Sequence, residues 1–536
     1  MILEFDQLRA YRQTVAMVDG AFDPLHRGHI EYFRAASAKL DVPLLCNVAS
    51  DAYVRSKHPP LLPEDQRAAI VDAIRYISYT HINRFDTETI LRELRPKYYV
   101  KGKDWDGRLP PDQVRLMQEE KLRRQMAYNY ERSAFYHRRF DAGGIHPGDI
   151  RTLDDLAKLP FTTKEELRDS QIEQPPLGLH AAAPMEAVIR VHSSSGTTGR
   201  PSYVGITRHD RDGWTESIAR VYWAEGVRPD TILAMGFGLS FFVGGIPLQD
   251  AVEQIGATFI PIGTGASDRL ITSIQNLGAN QLTCTPSYAT YLAEYVRSKF
   301  NMEPRELGLQ RIQVGAEPGG GIPEVRKRIG EDWGAFITEG IGNADVIPVY
   351  AGECDERTGM HLVAPDLVVL EIIDPDTGAV LPLDRPEVRG ELVFTHIDRE
   401  CVPLVRFRTR DQVIVWTAAC PCGRTGLRLR CVGRTDDMLI LLGVNVFPSA
   451  IKDVVMSLRP RTTGEIQIIL DKPGPRVDPP LKMQVEHGPD VSNLPDLKRE
   501  IEGILRDKLI FAARVELLPP GALPRYEMKA KLIHKA

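Results

Sequence analysis

One run of residues limits this chain more than any other: Val191-His192-Ser193-Ser194-Ser195-Gly196-Thr197-Thr198-Gly199-Arg200-Pro201. Small hydroxyl residues and glycines dominate it. A loop of that make-up bares its backbone N–H groups and adds hydroxyl donors, which together suit a polyphosphate. The lysine of a Walker-type G-x-x-x-x-G-K-[ST] loop is missing, so that NTPase architecture is excluded. A Ser/Thr/Gly surface turn is the plain alternative. It accounts for a shorter run better than for this ordered one.

At 536 residues the chain exceeds what one hydrophobic core serves, and about three or four domains are expected. Hydrophobic residues make up 43% and charged residues 26%, as in a globular protein. The formal charge of −5 makes no electrostatic case for nucleic acid or an anionic membrane. The acids in Met1-Ile2-Leu3-Glu4-Phe5-Asp6 argue against a secretory signal. Thr231 to Gln249 is the longest uncharged stretch, but its glycines, proline and glutamine predict buried loop and helix, not a membrane span. Seven cysteines, an odd number, fit reduced thiols in a cytoplasm.

Strand signals at Thr14 to Val18, Leu44 to Val48 and Tyr98 to Val100 alternate with a helical pattern through Ile30, Phe33 and Leu40. That alternation predicts a parallel α/β unit, which stops where Asp, Gly and Pro cluster at Asp104 to Pro111. A charged helix is expected from Gln113 to Phe140, then a long α/β region to about Cys431. The last part carries strands at Ile466 to Leu470 and Lys482 to Glu486. An amphipathic helix through Leu497, Ile501, Ile504 and Leu505 completes an α+β pattern there.

The first unit holds Asp19-Gly20-Ala21-Phe22-Asp23-Pro24-Leu25-His26-Arg27-Gly28-His29. A strand ends, a glycine turns, and two histidines flank a glycine at a helix start, so imidazoles and a helix N-terminus converge on a phosphate. Two surface histidines near each other are common; the strand and the Asp-Gly-x-Phe-Asp lead-in make this pair specific. With Ser50-Asp51, Lys57, Arg67 and Val100-Lys101-Gly102-Lys103, the region resembles the cytidylyltransferase-like nucleotidyltransferases. The resemblance implies CTP or ATP as substrate, His26 and His29 as catalytic groups, and Gly20, Phe22, Asp51 and Lys101 in nucleotide binding. It covers residues 13 to 108 and breaks off before the hydroxyl-rich helix start usual in that family.

The remainder resembles the phenylacetate–CoA ligases, a branch of the adenylate-forming enzymes. It carries Leu159-Pro160-Phe161-Thr162-Thr163-Lys164, the hydroxyl loop, Gly315-Ala316-Glu317-Pro318, Val405-Arg406-Phe407-Arg408-Thr409-Arg410-Asp411 and Gly433-Arg434-Thr435-Asp436-Asp437. The resemblance implies ATP, Mg²⁺ and CoA as cofactors, and a small or aryl carboxylic acid as substrate. A carrier-protein thiol replaces CoA in the alternative. Ser194, Ser195, Gly196, Thr197, Thr198 and Gly199 hold phosphates in this reading, with Glu317 and Arg434 beside them. Asp411 takes the ribose hydroxyls, Asp345 takes Mg²⁺, and Lys529 is the catalytic lysine, with Lys531 as its fallback. The Tyr-Gly-x-[Ser/Thr]-Glu motif falls on Ile341-Gly342-Asn343-Ala344-Asp345, and glycine is replaced by Arg410 ahead of Asp411. Phe237, Phe241, Gly244 and Tyr288 are candidate acid-pocket residues, and equally candidate core residues.

Cys354, His361, Cys420 and Cys422 stand at Cys-x6-His and Cys-x-Cys spacings, which suit a structural tetrahedral Zn²⁺. Buried free cysteines are the alternative. The expected architecture is therefore α/β throughout. A Rossmann-like HxGH nucleotidyltransferase domain spans 1–112, a large adenylate-forming domain 113–432 and a small α+β lid 433–536. The leading function is an acid–thiol ligase that forms acyl-AMP. A bifunctional enzyme and a non-enzymatic nucleotide-binding scaffold are the rivals. A homodimer is one open oligomeric state.

Overall fold

A computed structural model of the chain describes residues 1–56, 59–100, 111–193, 202–435, 437–441, 444–472, 476–526 and 530–535, with the side chains at 27, 444, 445 and 535 excepted. The chain divides into two compact units, Met1–Asp106 and Gly107–Ala536.

In the first unit five strands form one parallel sheet: β1 (Ile2–Leu3), β2 (Ala16–Gly20), β3 (Leu44–Ala49), β4 (Tyr79–Asn83) and β5 (Tyr98–Val100). Their spatial order is β1-β4-β3-β2-β5. Ala16 to Val18 and Leu44 to Val48 are buried, as expected of strands covered on both faces. The chain steps from β2 through β3 to β4, then returns to add β5 on the other flank of β2. The order thus reverses at β2, and ligands of open α/β sheets bind outside the carboxyl ends of strands at such a point. Strand β4 has no counterpart in the sequence reading, because Tyr-Thr-His-Ile-Asn shows no apolar run.

The second unit opens with helices Pro111–Arg132 and Ala134–Ala142, where the sequence predicts one. The break is at Ser133, whose hydroxyl accepts from Tyr136 N–H and donates to Leu179 O. The first of these helices is bound into the second unit: Gln118 donates to the carbonyls of Pro365 and Val368, Gln125 to that of Arg399, and Lys121 pairs with Asp398 at 2.6 Å.

An eleven-stranded mixed sheet forms the body of this unit. Its parallel half contains Phe336–Ile341, Arg311–Val314, Gln281–Cys284, Ile232–Met235 and Thr258–Ile260. The antiparallel half includes the long strands Glu387–His396, Phe407–Trp416 and Arg428–Arg434. The carboxy-terminal part is a four-stranded sheet covered by helices Pro448–Met456 and Leu494–Leu509. Leu497, Ile501 and Leu505 pack into its core with Ile468 and Val485. Met456 instead joins the core beneath the parallel strands, which fastens this lid to the body. The uncharged stretch from Thr231 becomes strand, loop and the start of a helix at Ile246. Among the described residues, no helix is long and apolar enough to cross a membrane.

Candidate active sites

In the first unit the loop after β2 lies at the reversal of strand order. Gly20 faces the ring of Phe22; a Cβ there would stand 2.8 Å from the ring edge. Phe22 itself has φ +51°, in the left-handed region. His26 caps the helix Arg27–Lys39. Its Nδ1 accepts from Gly28 N–H at 3.1 Å, and His29 Nδ1 accepts from His26 N–H at 3.3 Å. In neutral rings both protons are therefore on Nε2, which makes each imidazole an N–H donor beside the helix N-terminus. The rings stack at 3.9 Å, and Phe22 meets His29 edge-on at 5.1 Å. Burial first, and His26 second, lower the pKa of His29 and favour its neutral form.

Arg67 is fully buried and braces this loop: its guanidinium donates to Ala21 O, Ala49 O, Leu62 O and the Asp51 carboxylate. Asp51 is thus spent on Arg67. Asp23 accepts from the N–H groups of Leu61 and Leu62. Lys101 lies outside the described residues.

In the second unit the strands Arg190–Ser193 and Tyr203–Ile206 pair antiparallel and flank the hydroxyl loop. Ser194, Ser195, Gly196, Thr197, Thr198 and Gly199 lie outside the described residues. Asp345, which follows the Phe336–Ile341 strand, is buried. Lys164 Nζ stands 2.7 Å from its Oδ2, and Ser202 Oγ donates to Oδ1 at 3.2 Å. Lys164 opens the helix Lys164–Glu173, capped by Thr163.

Glu317 follows the Arg311–Val314 strand. Its approach is tight: a Cβ on Gly315 would meet Gly340 O at 2.8 Å, and Ala316 has φ +68°. Glu317 Oε1 accepts from Ser287 N–H at 2.8 Å, and Oε2 accepts from Ala530 N–H at 2.6 Å. The residue after Lys529 is therefore docked on the body, while Lys529 lies outside the described residues. Asp411 is buried, with Arg434 Nη1 donating to its Oδ1 at 3.0 Å. Arg410 takes φ +64°, the conformation a glycine adopts freely, so the substitution keeps the loop at the expense of strain.

Sequence comparison adds the family. Phenylacetate-coenzyme A ligase of Thermus thermophilus is 38% identical over 437 residues, covering 78% of this chain and 95% of the relative. The chain belongs to the phenylacetate–CoA ligases. A solved 2-hydroxyisobutyryl-CoA ligase in its postadenylation state superposes with TM-score 0.74 at 27% identity, over 81% of this chain and 91% of that one. The same protein in its thioesterification state gives 0.60. The AMP-binding enzyme C-terminal domain matches residues 443–535, and the cytidylyltransferase-like family matches 17–158. FAD synthase of Archaeoglobus fulgidus is 38% identical over 91 residues, 16% of this chain and 64% of the relative.

The candidate acid-pocket residues of the ligase are scattered in environment. Phe241 is exposed, and its carbonyl accepts from Ser193 N–H. Tyr288 is fully buried in the core, its hydroxyl 3.1 Å from Ser267 Oγ. Phe237 is partly buried and packs beside Gly244.

Cys354, His361, Cys420 and Cys422 converge, with one donor atom from each lying within 4.8 Å of the others. Cys354 Sγ is 3.8 Å from Cys420 Sγ, and Cys422 Sγ is 3.5 Å from His361 Nε2. A tetrahedron with Zn–S of about 2.3 Å and Zn–N of about 2.05 Å has S–S edges of about 3.8 Å and S–N edges of about 3.5 Å. The donors fit that ion.

Proposed function

We propose that the chain activates a carboxylic acid with ATP and passes the acyl group to the thiol of CoA. The Ala530-to-Glu317 hydrogen bond carries this reading, because it docks the neighbour of Lys529 on a loop at the carboxyl ends of the parallel strands. A carboxylate oxygen attacks the α-phosphorus, the bond to the bridging oxygen breaks and pyrophosphate leaves. The CoA sulfur then attacks the acyl carbon, gives up its proton, and AMP leaves. Ser194 to Gly199 hold the phosphates, and the Lys529 ammonium neutralises charge gathering between carboxylate and phosphorus. Asp411 accepts from the ribose hydroxyls, with Arg434 fixing its carboxylate. ATP brings Mg²⁺, and Asp345 is the hard oxygen donor offered to it. Phenylacetate and 2-hydroxyisobutyrate, suggested by the relatives, are the first acids to try.

Acid-dependent exchange of labelled pyrophosphate into ATP tests the reading. Lys529→Ala should slow it by about a hundredfold or more, the scale of losing one charge-stabilising group. Undiminished exchange in that variant ends the role of Lys529, and no exchange with any acid ends the ligase reading.

The two imidazole N–H donors at the switch point favour a second activity: transfer of a nucleotidyl group from CTP or ATP to a phosphorylated substrate. His26 and His29 donate to the α-phosphate as pyrophosphate leaves. CTP-dependent pyrophosphate release with glycerol 3-phosphate should disappear in His26→Ala and persist in Lys529→Ala. We further assign the Cys354–His361–Cys420–Cys422 cluster to a structural Zn²⁺. None of the seven cysteines is paired in a disulfide, in keeping with a reducing compartment.

A further inference from the structure

The described residues on either side of Lys529, Ala530 and Arg525, each meet the body, and only one of these two contacts belongs to the site. The first is Glu317 beneath Ala530 N–H. The second is Arg525. Its guanidinium forms a fork on Glu486, with Nη1 and Nη2 at 2.7 and 2.9 Å, and its Nε donates to Glu294 Oε2 at 3.2 Å. Glu486 is fully buried and also accepts from Gly521 and Leu523 N–H, so Arg525 is fixed to the lid. Glu294 lies on the helix Pro286–Tyr295 of the body, and its other oxygen accepts from Arg328 Nη2 at 2.8 Å. Arg328, itself buried, donates to the lid carbonyl of Thr463 at 3.1 Å. One carboxylate of the body therefore bridges two guanidiniums at the seam with the lid.

The two fastenings differ in kind. Arg525 keeps Glu486 wherever the lid goes, because both belong to it. The Glu294 contact joins lid to body and must break if the lid turns. This chain superposes better on the postadenylation state of its solved relative, with TM-score 0.74, than on that protein's thioesterification state, with 0.60.

We propose that Glu294 is a positioning residue: a clasp that holds the Arg525–Ala530 segment on the body for acid activation and lets go before thiol transfer. The proposal rests on the ligase reading above. Glu294 is partly exposed and pairs with Arg525 and Arg328, and its charge also reaches the Arg459 guanidinium of the lid, so it acts on the seam through these cations. A carboxylate that pairs two cations across a seam shifts the balance of lid postures without contributing to the bond-making steps.

The test separates the two half-reactions and adds a readout that needs no turnover. In Glu294→Gln, ATP–pyrophosphate exchange with phenylacetate should fall by about tenfold, while thioester formation from supplied phenylacetyl-AMP and CoA holds or rises. Glu294→Asp should recover part of the loss. Hydrogen–deuterium exchange on the full chain should show residues 525–535 exchanging about tenfold faster in Glu294→Gln, with the strands Thr462–Leu470 and Leu481–His487 unchanged. Equal loss in both half-reactions, or unaltered amide exchange at 525–535, overturns the clasp. A wild-type chain with no acid-dependent exchange overturns the ligase reading instead, and the amide measurement still decides the clasp.

Discussion

Removing the metal from the Cys354–His361–Cys420–Cys422 cluster should cost the second unit a calculable share of its stability. Cys354 and Cys420 are 66 residues apart in sequence. Clipping a loop that long removes about 4 kcal/mol of chain entropy from the unfolded state, in the account used for cross-links. A unit of this size unfolds with an entropy near 2 cal/mol/K per residue, roughly 0.9 kcal/mol per degree in all, so the loss corresponds to about 4–5 °C in Tm. Burial holds the His361 pKa down at about 4, so the ring stays neutral and its Nε2 is ready for a metal. The chemistry should be spared. Trp416 ends the strand that starts with Phe407, five residues beyond Asp411, and a strand rises about 3.3 Å per residue. The cluster follows that end, so Asp411 is roughly 17 Å from it along the strand. Cys420→Ser and chelated wild type should thus lose about 4–5 °C while keeping initial rates at 25 °C. Elemental analysis should give about one zinc per chain. A purified, reduced chain free of zinc, with Cys420→Ser melting like wild type, would refute the assignment.

Three further outcomes follow from particular contacts. Lys164→Met removes the ammonium from the Asp345 carboxylate, so the Mg²⁺ concentration for half-maximal exchange should fall by about threefold; an unchanged Mg²⁺ titration counts against Asp345 as its donor. Arg410→Gly should raise stability by about 0.5–1 kcal/mol by relieving φ +64°, while Arg410→Ala leaves it near wild type. Equal melting of the two variants would show that no strain is stored there. His180 and His396 are buried, and burial lowers their pKa values from 6.5 to about 4 and about 3. His396 uses both nitrogens, accepting from Leu404 N–H and donating to Val346 O. The unfolded chain takes up protons at these residues first. Stability is therefore intact above pH 6.5 and lost as pH falls toward 4, by about 2 kcal/mol per histidine at pH 5. Denaturant midpoints between pH 7 and 5 check this; a slope unchanged in His396→Gln contradicts it.

Some of this was legible in the chain and some was not, for physical reasons. Strands β2 and β3 announce themselves because parallel strands covered on both faces need apolar runs. The Cys–His cluster is legible across 66 residues because thiols and imidazoles are rare and their spacing is informative. The lid helix shows its apolar stripe at Leu497, Ile501 and Leu505. By contrast, β4 sets Thr80 and His81 side by side between its apolar residues and gives no run. Arg67 stands among the residues that carry the first unit's resemblance, but nothing local shows that it is the buried brace of the HxGH loop. Lys164 and Asp345 are 181 residues apart, and nothing local in either motif names the other. The same holds for Glu294 and Arg525, 231 residues apart. Pairings of common charged residues are set by the fold, so they appear only once the fold is known.

The two units suggest why one phosphate site is rigid and the other is clasped. In the nucleotidyl transfer proposed for the first, the incoming phosphate oxygen is already ionised and transfer takes a single displacement. Fixed donors suffice, and the HxGH loop is braced accordingly by Arg67 and by the Asp23 contacts to Leu61 and Leu62. In the second, activation joins a carboxylate oxygen to phosphorus and thiol transfer then attacks the acyl carbon beside it, and the two steps need opposite things of one space. The first step needs an ammonium over the carboxylate, and the second needs that space open to sulfur. A fixed lysine would serve one step and obstruct the other. A lysine on a segment held to the body by the partly exposed Glu294–Arg525 pair serves both, since a partly exposed pair contributes little enough to break within a catalytic cycle. If that is the logic, strengthening the clasp is as harmful as cutting it. A cleavable cross-link between body and lid at this seam that leaves Arg525 on Glu486 should preserve pyrophosphate exchange and block thioester formation until it is cut, and unimpeded thioester formation in the cross-linked chain would defeat the argument.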